Sequence, residues 1–548
     1  MAAASKSEPR PRPATVTHTS LGLIAQVCEG EIVTFAIDSA ATDSAAIDTA
    51  PLDSQTAPSR RDGAQVAQIE VTGITASSSQ VLPGDLFAAL PGASGHGARF
   101  AAEAISRGAV AILTDAAGAQ LLAELVDKVV DDTPTDVVIT GIVVDDVRAR
   151  LGSVSSQVYG FPSVALQMIG VTGTSGKTTT TFFVRAGLQA AGIGCGLIGT
   201  VATMIGDESV HTGFTTPEAP DLQALLARMI ERGAQSVAME VSSHALALGR
   251  ADGIDFAVSA FTNLSHDHLE FHPTMEDYFQ TKARLFDWRT LVPIVMVDDE
   301  WGVRLAEQLA GRAVTVSTRD DVPATWTARD ITVDGSGRTS FRVSGPGQQG
   351  QGGCQVPGRY NVANAVLALA ILHYAGVSLE VAAPAVAAAS VPGRMERIDS
   401  GQPFLVVVDY SHKPAAVQGA LAALRPLTQG RLIIVLGCGG DRDRQKRPLM
   451  GAVAARDSDI LIVTDDNPRS ENPATIRAAM LAGVDPYAHP AEVIEIGDRA
   501  AAIAHAIGLA EPGDTVLIAG KGHEAGQEIN GEIHPFDDRD VARAVLAS

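Results

Sequence analysis

The chain of 548 residues is too long for one hydrophobic core, so two to four domains are expected. Its formal charge of −22, from 41 Lys and Arg against 63 Asp and Glu, argues against nucleic acid and anionic membranes as partners, so a polyanionic ligand must be held by local donors and metal ions. Hydrophobic residues at 46% and charged ones at 19% describe a soluble globular protein, and no stretch approaches the ~20 uninterrupted apolar residues of a membrane span.

The opening MAAASKSEPRPRPATVTHTS is polar and Pro-rich with no apolar centre, so residues 1–20 read as a mobile tail and not a secretory signal. Residues 38–65, rich in Ala, Ser, Asp and Pro, read as a mobile insertion. IEVTGITASSSQVLPGDLFAAL and GAVAILTD follow as short strands around turns. ALQMIGVTG then reads as a strand and KTTTTFFVRAGLQAAG as a helix. Further apolar strands, SVAMEV, FAVSAFTNL and VPIVMV, alternate with helix-like segments, as in a mainly parallel α/β sheet. RYNVANAVLALAILHYAG is a strong helix, and VPGRMERI carries a Pro-Gly break suited to a domain joint. The rhythm restarts with FLVVVDY, RLIIVLG, DILIVTD and DTVLIAG. Three α/β domains are expected, over 1–165, 166–394 and 395–548. Cys28, Cys195, Cys354 and Cys438 are scattered without a C-x-x-C pair, which argues against zinc and disulfides and suits a reducing cytoplasm.

GVTGTSGKTTT, from Gly170 to Thr180, has the strand–glycines–Lys-Thr–helix order of a phosphate cradle, in which backbone N–H groups and a helix N-terminus face the anion. Its spacing is not that of a Walker A loop, which requires glycine where Val171 stands. Glu240, at the end of a buried strand, suits a magnesium ligand and suits a helix cap equally. The stretch TNLSHDHLEFH gathers His266, Asp267, His268, Glu270 and His272, as a metal or acid–base site does and as a surface loop also does. Lys282, fourteen residues after His268, reads by itself as a solvated helix lysine.

In their order these motifs resemble the Mur ligases of peptidoglycan synthesis, whose phosphate loop has this glycine spacing. The resemblance continues through GRYNVANA, PGRMERI, DYSHKPAAV, GCGGDRDRQKRPLMG, DDNPRSENP and GKGHE, and spans about residues 70 to 540. GDRDRQKRP, DNPR, GKGHE and the early GDLFAALPG point to the branch that adds the third amino acid of the stem peptide.

The resemblance implies three α/β domains: an N-terminal UDP-binding domain, a central P-loop ATPase-like domain with a mainly parallel sheet, and a C-terminal Rossmann-like domain. It implies that ATP phosphorylates the D-glutamate side-chain carboxylate of UDP-MurNAc-L-Ala-D-Glu and that an amine then attacks the acyl phosphate. ATP contacts are implied at Gly173, Thr174, Ser175, Gly176, Lys177, Thr178 and Thr179, and at Asn361, Asn364, Arg394, Asp409 and His412. Two magnesium ions are implied, one on Thr178 and Glu240 and one on His268 and Lys282. Lys282 is implied to be carbamylated by CO₂ to N6-carboxylysine, and Lys177, Glu240, His268 and Lys282 form the catalytic set. The UDP-muramyl dipeptide falls to Ser78, Thr215, Thr216, Ser242 and Arg250, although the Asp and Arg that flank the serine in relatives are absent around Ser78. DYSHKP departs from the commoner family pattern at Lys413.

DNPR accompanies meso-diaminopimelate in this branch. The far end of that amino acid carries a carboxylate beside its ammonium, which a guanidinium holds in a bidentate pair. The implied pocket is Arg442, Asp466, Asn467, Pro468, Arg469, Gly520 and Glu524, with Glu524 toward the distal ammonium and Arg469 toward the distal carboxylate. The alternatives are that Arg469 only pairs with surface acids such as Glu471, that the amine is L-lysine or another diamino acid, or that the chain is a folylpolyglutamate synthetase. A monomer in the cytoplasm is expected.

Overall fold

The strands that read most clearly in the sequence are those buried on both faces. The computed structural model describes residues 12–35, 63–92, 95–132, 138–210, 212–269, 271–287, 289–334, 337–485 and 491–547, with side chains left out over 127–132. Residues 1–11 and 36–62, most of the two segments expected to be mobile, lie outside that range, as does Glu270. From Arg12 onward the opening segment is held: the Arg12 guanidinium bonds the buried Asp85 carboxylate, and Thr19–Ser20 pairs with Glu70–Val71.

The chain divides into two compact units, Met1–Lys177 with Gly192–Val295 and Asp299–Val314 in one, and Thr178–Ala191 with Met296–Asp298 and Thr315–Ser548 in the other. The first contains a five-stranded sheet in the order Glu31–Phe35, Ile139–Val143, Ala111–Thr114, Asp85–Ala88 and Gly73–Thr75, parallel except at its first pair. It also contains a run of seven strands in which Gln167–Thr172 lies between Ser236–Glu240 and Phe256–Phe261, parallel to both. Helices that accompany the two sheets share a core. Val147, Leu151, Val154 and Val158 of helix Val147–Val158 pack in the same apolar cluster as Ala219 and Ala224 of helix Ala219–Glu231.

The second unit joins the antiparallel strands Trp326–Val333, Thr339–Gly345 and Gln348–Cys354 to a six-stranded sheet. That sheet runs Glu396–Ile398, Leu405–Asp409, Thr515–Ala519, Leu432–Leu436, Ile460–Val463 and Glu492–Glu495, antiparallel only at its first pair. Alternate residues of each central strand feed opposite cores, as the two-residue period of a strand requires. Leu432, Ile434 and Leu436 face helices Pro414–Leu424 and Lys446–Asp457 on one side, while Ile433 and Val435 face helix Arg499–Leu509 on the other. Runs such as LIIVL are therefore apolar at every position.

In both units the chemistry-bearing residues follow the C-terminal ends of parallel strands, where open α/β sheets leave a crevice. The joint at 391–395 is closed by glycines. Gly393, at φ 63°, and Gly522, at φ 56°, cross backbone on backbone, and a Cβ on Gly393 would collide with the His523 amide. Gly393→Ala is expected to cost roughly 2 kcal/mol or more, from the left-handed φ and the collision together. Chemical denaturation checks this, with Gly401→Ala as the control, since Gly401 shares a positive φ but has open space at its Cβ.

Candidate active site

The phosphate-type loop sits between strand Gln167–Thr172 and helix Lys177–Ala190. Gly173 has φ 143° and Gly176 φ 88°, and a Cβ on Gly173 would strike the Thr262 hydroxyl, so both glycines are needed for the curve. The end of the neighbouring strand clamps the loop. The Thr174 N–H donates to the Asn263 carbonyl (2.9 Å), the Ser175 N–H to Asn263 Oδ1 (3.0 Å), and the Thr262 hydroxyl to the Ser175 carbonyl (2.6 Å). Lys177 Nζ donates to the carbonyls of Gly173 (2.8 Å) and Thr174 (2.9 Å), which puts its charge inside the curve. Thr178 and Thr179 form the start of the helix, with Thr178 buried.

Lys282 is buried, contrary to the solvated reading of a lone helix lysine. It lies on helix Met275–Ala283, whose Thr274 cap and acidic first turn suit a helix N-terminus. Its Nζ donates to the Gly173 carbonyl at 2.9 Å and stands 4.6 Å from the Tyr278 ring centre. Burial, reinforced by the nearby Lys177 charge, pushes its amine well below the usual lysine range, against a smaller opposing pull from Asp267. His268 stands in the left-handed region at φ 54°, with Asp267 Oδ2 3.4 Å from its Nε2 and the His244 ring 5.0 Å away. His272 is buried with Nδ1 2.9 Å from Asp277 Oδ2, which ties this loop to the helix of Lys282.

Glu240 is buried at its strand end and accepts from the Thr200 N–H (2.9 Å) and hydroxyl (3.1 Å). Thr200, which nothing in the sequence singled out, also lies 3.0 Å from the Thr215 hydroxyl. Thr216 is buried, donating to the Glu240 carbonyl (2.9 Å) and accepting from the Ser242 N–H (3.3 Å). The Ser242 hydroxyl caps helix Ser243–Ala247. Arg250 pairs with Glu218 (2.9 Å) and lies over the Phe214 ring (4.4 Å), while Ser78 donates to Glu103 (2.7 Å). Among the described residues no group of three or more His, Cys, Asp or Glu side chains is arranged to hold a metal.

In the second unit Asn361 and Asn364 are buried on helix Arg359–Tyr374, and the Asn361 amide donates to the Pro357 carbonyl (2.7 Å). Arg394 lies over the Tyr410 ring at 4.4 Å, and His412 and His523 flank the same ring. Burial holds His412 at about 4, neutral under physiological conditions, helped by the positive charges of Lys446 and Lys413. The Asp409 carboxylate, expected to face a nucleotide, is bonded within the chain, accepting from the Met395 N–H (2.7 Å) and from the N–H and hydroxyl of Ser411.

DNPR lies between two partner segments. Asn467 Nδ2 donates to Glu524 Oε2 at 2.8 Å. Lys521, wholly buried, donates to Asn467 Oδ1 (2.9 Å), Glu524 Oε2 (3.2 Å) and the Gly526 carbonyl (2.6 Å). Arg469, at φ 52°, donates through Nε to Glu528 Oε2 (2.9 Å) and through Nη1 to the Gly440 carbonyl (2.7 Å). Glu471 is not its partner: it pairs with Arg447 and Arg444, and Arg447 with the Asp441 amide holds the Glu471 carboxyl down at about 2. Asp466 is buried, and a Cβ on Gly520 would come 2.7 Å from its carboxylate, which explains that glycine. A Cβ on Gly440 would meet the Pro468 carbonyl, and Arg442 stands exposed beside it. Nothing local in the sequence marks the roles of Lys521 and Glu528, because Asn467, which both meet, lies more than fifty residues away.

Three family models match this chain in succession: Mur ligase family, catalytic domain, at 70–159; Mur ligase middle domain at 171–372; and Mur ligase, glutamate ligase domain, at 393–522. The chain belongs to the Mur ligase family. It is 51% identical to the UDP-N-acetylmuramoyl-L-alanyl-D-glutamate–2,6-diaminopimelate ligase of Streptomyces coelicolor over 482 residues, 87% of this chain and 92% of that one. It is also 51% identical to the ligase of the same name from Corynebacterium glutamicum over 505 residues, 90% and 94% of the two chains. A solved structure of a UDP-N-acetylmuramoyl-L-alanyl-D-glutamate–2,6-diaminopimelate ligase matches at 32% identity and a TM-score of 0.63, covering 90% of this chain and 98% of that one. The mixed α/β, three-domain architecture of Mur ligases is thus present. No helix among the described residues is long and apolar enough to cross a membrane.

Proposed function

We propose that this Mur ligase uses ATP to join meso-diaminopimelate to the D-glutamate side-chain carboxylate of UDP-MurNAc-L-Ala-D-Glu, as a cytoplasmic monomer. The observation that carries the choice of amino acid is the pairing around Asn467. Arg469 is bonded within the described residues at Nε and Nη1, which leaves its Nη2 edge for a carboxylate. Glu524 accepts from Asn467 and Lys521 on Oε2, which leaves Oε1 for an ammonium. The four groups Arg469, Glu528, Lys521 and Glu524 sum to zero charge. The distal end of diaminopimelate, with one charge of each sign, adds none, whereas the lysine ammonium would leave one uncompensated.

In the first unit Lys177 and the loop N–H groups other than those of Thr174 and Ser175, which Asn263 holds, are the donors offered to the ATP phosphates. Glu240 and His268 are the side chains of this unit offered to magnesium. The small number of protein donors suits this metal, which keeps waters and takes phosphate oxygens. Bound there, magnesium supplies neutralisation of charge on the transferring phosphoryl group. Lys282 fits carbamylation because burial favours its neutral amine, and the carbamate would turn repulsion from Lys177 into attraction.

The test is ADP formation with UDP-MurNAc-L-Ala-D-Glu and either meso-diaminopimelate or L-lysine. ADP formation that requires both the UDP-substrate and meso-diaminopimelate is expected, with L-lysine at least ~100-fold poorer in kcat/KM, the scale set by one unpaired buried charge. Equal use of L-lysine refutes the choice of amine, and no ADP with either amine refutes the ligase.

A further inference from the structure

Lys521 follows strand Thr515–Ala519 and is among the largest wholly buried side chains of the chain. A buried ammonium is costly unless its protons are matched, and here each has an acceptor: Asn467 Oδ1, Glu524 Oε2 and the Gly526 carbonyl. An ammonium donates and never accepts, so it fixes which end of the Asn467 amide faces it. With Oδ1 held by Lys521 and by the Glu528 N–H (3.0 Å), Nδ2 is turned to Glu524. Glu524 Oε2 is then held from two sides and its other oxygen is left outward.

The same bonds reach Arg469. Because Asn467 Oδ1 accepts from the Glu528 N–H, strand Gly526–Ile529 is fixed along the DNPR segment, where the Arg469 N–H donates to the Glu528 carbonyl (3.0 Å) and the Glu528 carboxylate holds Arg469 Nε. One buried cation therefore lies behind both groups that would meet the two charges of the amino acid.

We propose that Lys521 is the positioning residue of the amino-acid pocket, orienting Glu524 directly and Arg469 through Asn467 and Glu528, without touching the substrate. This rests on the function proposed above, and the test separates the two. The wild type is first run with meso-diaminopimelate and with L-lysine, and the variants are then measured with whichever amine it uses. Failure of the functional reading shows as a different amine, and failure of this one as an unmoved KM.

Lys521→Met is expected to raise KM for the amine at least tenfold and leave KM for ATP and for the UDP-substrate within threefold. Placed on Glu524→Gln it is expected to add clearly less than it does alone, because one of the two groups it orients is already lost. Equal rises in all three KM values, or full effects that multiply in the double variant, overturn the proposal. If Lys521→Met does not fold, Asn467→Asp tests the same bonds, since it sets an oxygen against Glu524. A tenfold or greater rise in KM for the amine alone supports the proposal, and an unmoved KM overturns it.

Discussion

Arg469→Ala is expected to raise KM for meso-diaminopimelate on the order of 100-fold while leaving KM for ATP and for UDP-MurNAc-L-Ala-D-Glu within about threefold. Truncating one partner of a hydrogen-bonded charge pair costs about 2–5 kcal/mol, and this truncation removes two bonds within the chain besides those to substrate. Backbone strain does not confuse the result, because alanine meets the same cost at φ 52° as arginine. Arg469→Lys is expected to fall between, since it keeps the charge and loses the planar fork that spans Glu528 and a second carboxylate. Steady-state kinetics with each substrate varied in turn checks both variants. Equal losses across the three substrates would remove Arg469 from the pocket.

What the sequence made legible was local. The phosphate loop, the buried strands and the order of motifs each sit within a few consecutive residues, where spacing and apolarity are enough. Strand Gln348–Cys354 was not legible, because QQGQGGC has no apolar alternation and a single apolar residue, Cys354. Its logic lies across the sheet: a Cβ on Gly352 would enter the Phe341 ring, so glycine there makes room for a buried aromatic, as Gly345 does for Trp326. The shared core of the first unit was hidden for a related reason. Periodicity shows that helices Val147–Val158 and Ala219–Glu231 have apolar faces, and it does not show that the faces meet. The pocket divides the same way. Arg469, Lys521 and Glu524 stand in recognisable motifs, but the parts played by Lys521 and Glu528 show only where the chain returns to Asn467.

Lys282→Met is expected to lower kcat by about 10³-fold and to raise stability. The loss follows if Lys282 carries the charge-stabilising carbamate ligand, since one electrostatic group aimed at the reacting centre is worth about 10² to 10³ in rate. The gain follows from burial. The folded chain favours the neutral amine, so the unfolded chain binds the proton more readily, and stability is diminished wherever that proton is present. The penalty is largest at low pH and fades as pH rises toward the ordinary lysine value of 10.5. Methionine removes it while nearly conserving volume, and the Gly173 carbonyl keeps the bond from Lys177. Thermal unfolding in CO₂-depleted buffer should therefore show a Tm increase that shrinks with rising pH, alongside the loss of turnover. Lys282→Ala, which leaves room where the side chain stood, should recover part of its kcat with added acetate, a small carboxylate in place of the carbamate. A Tm gain without loss of kcat would make Lys282 a buried liability with no catalytic part, and loss of kcat without the pH-dependent gain would mean that its amine is held charged in the fold.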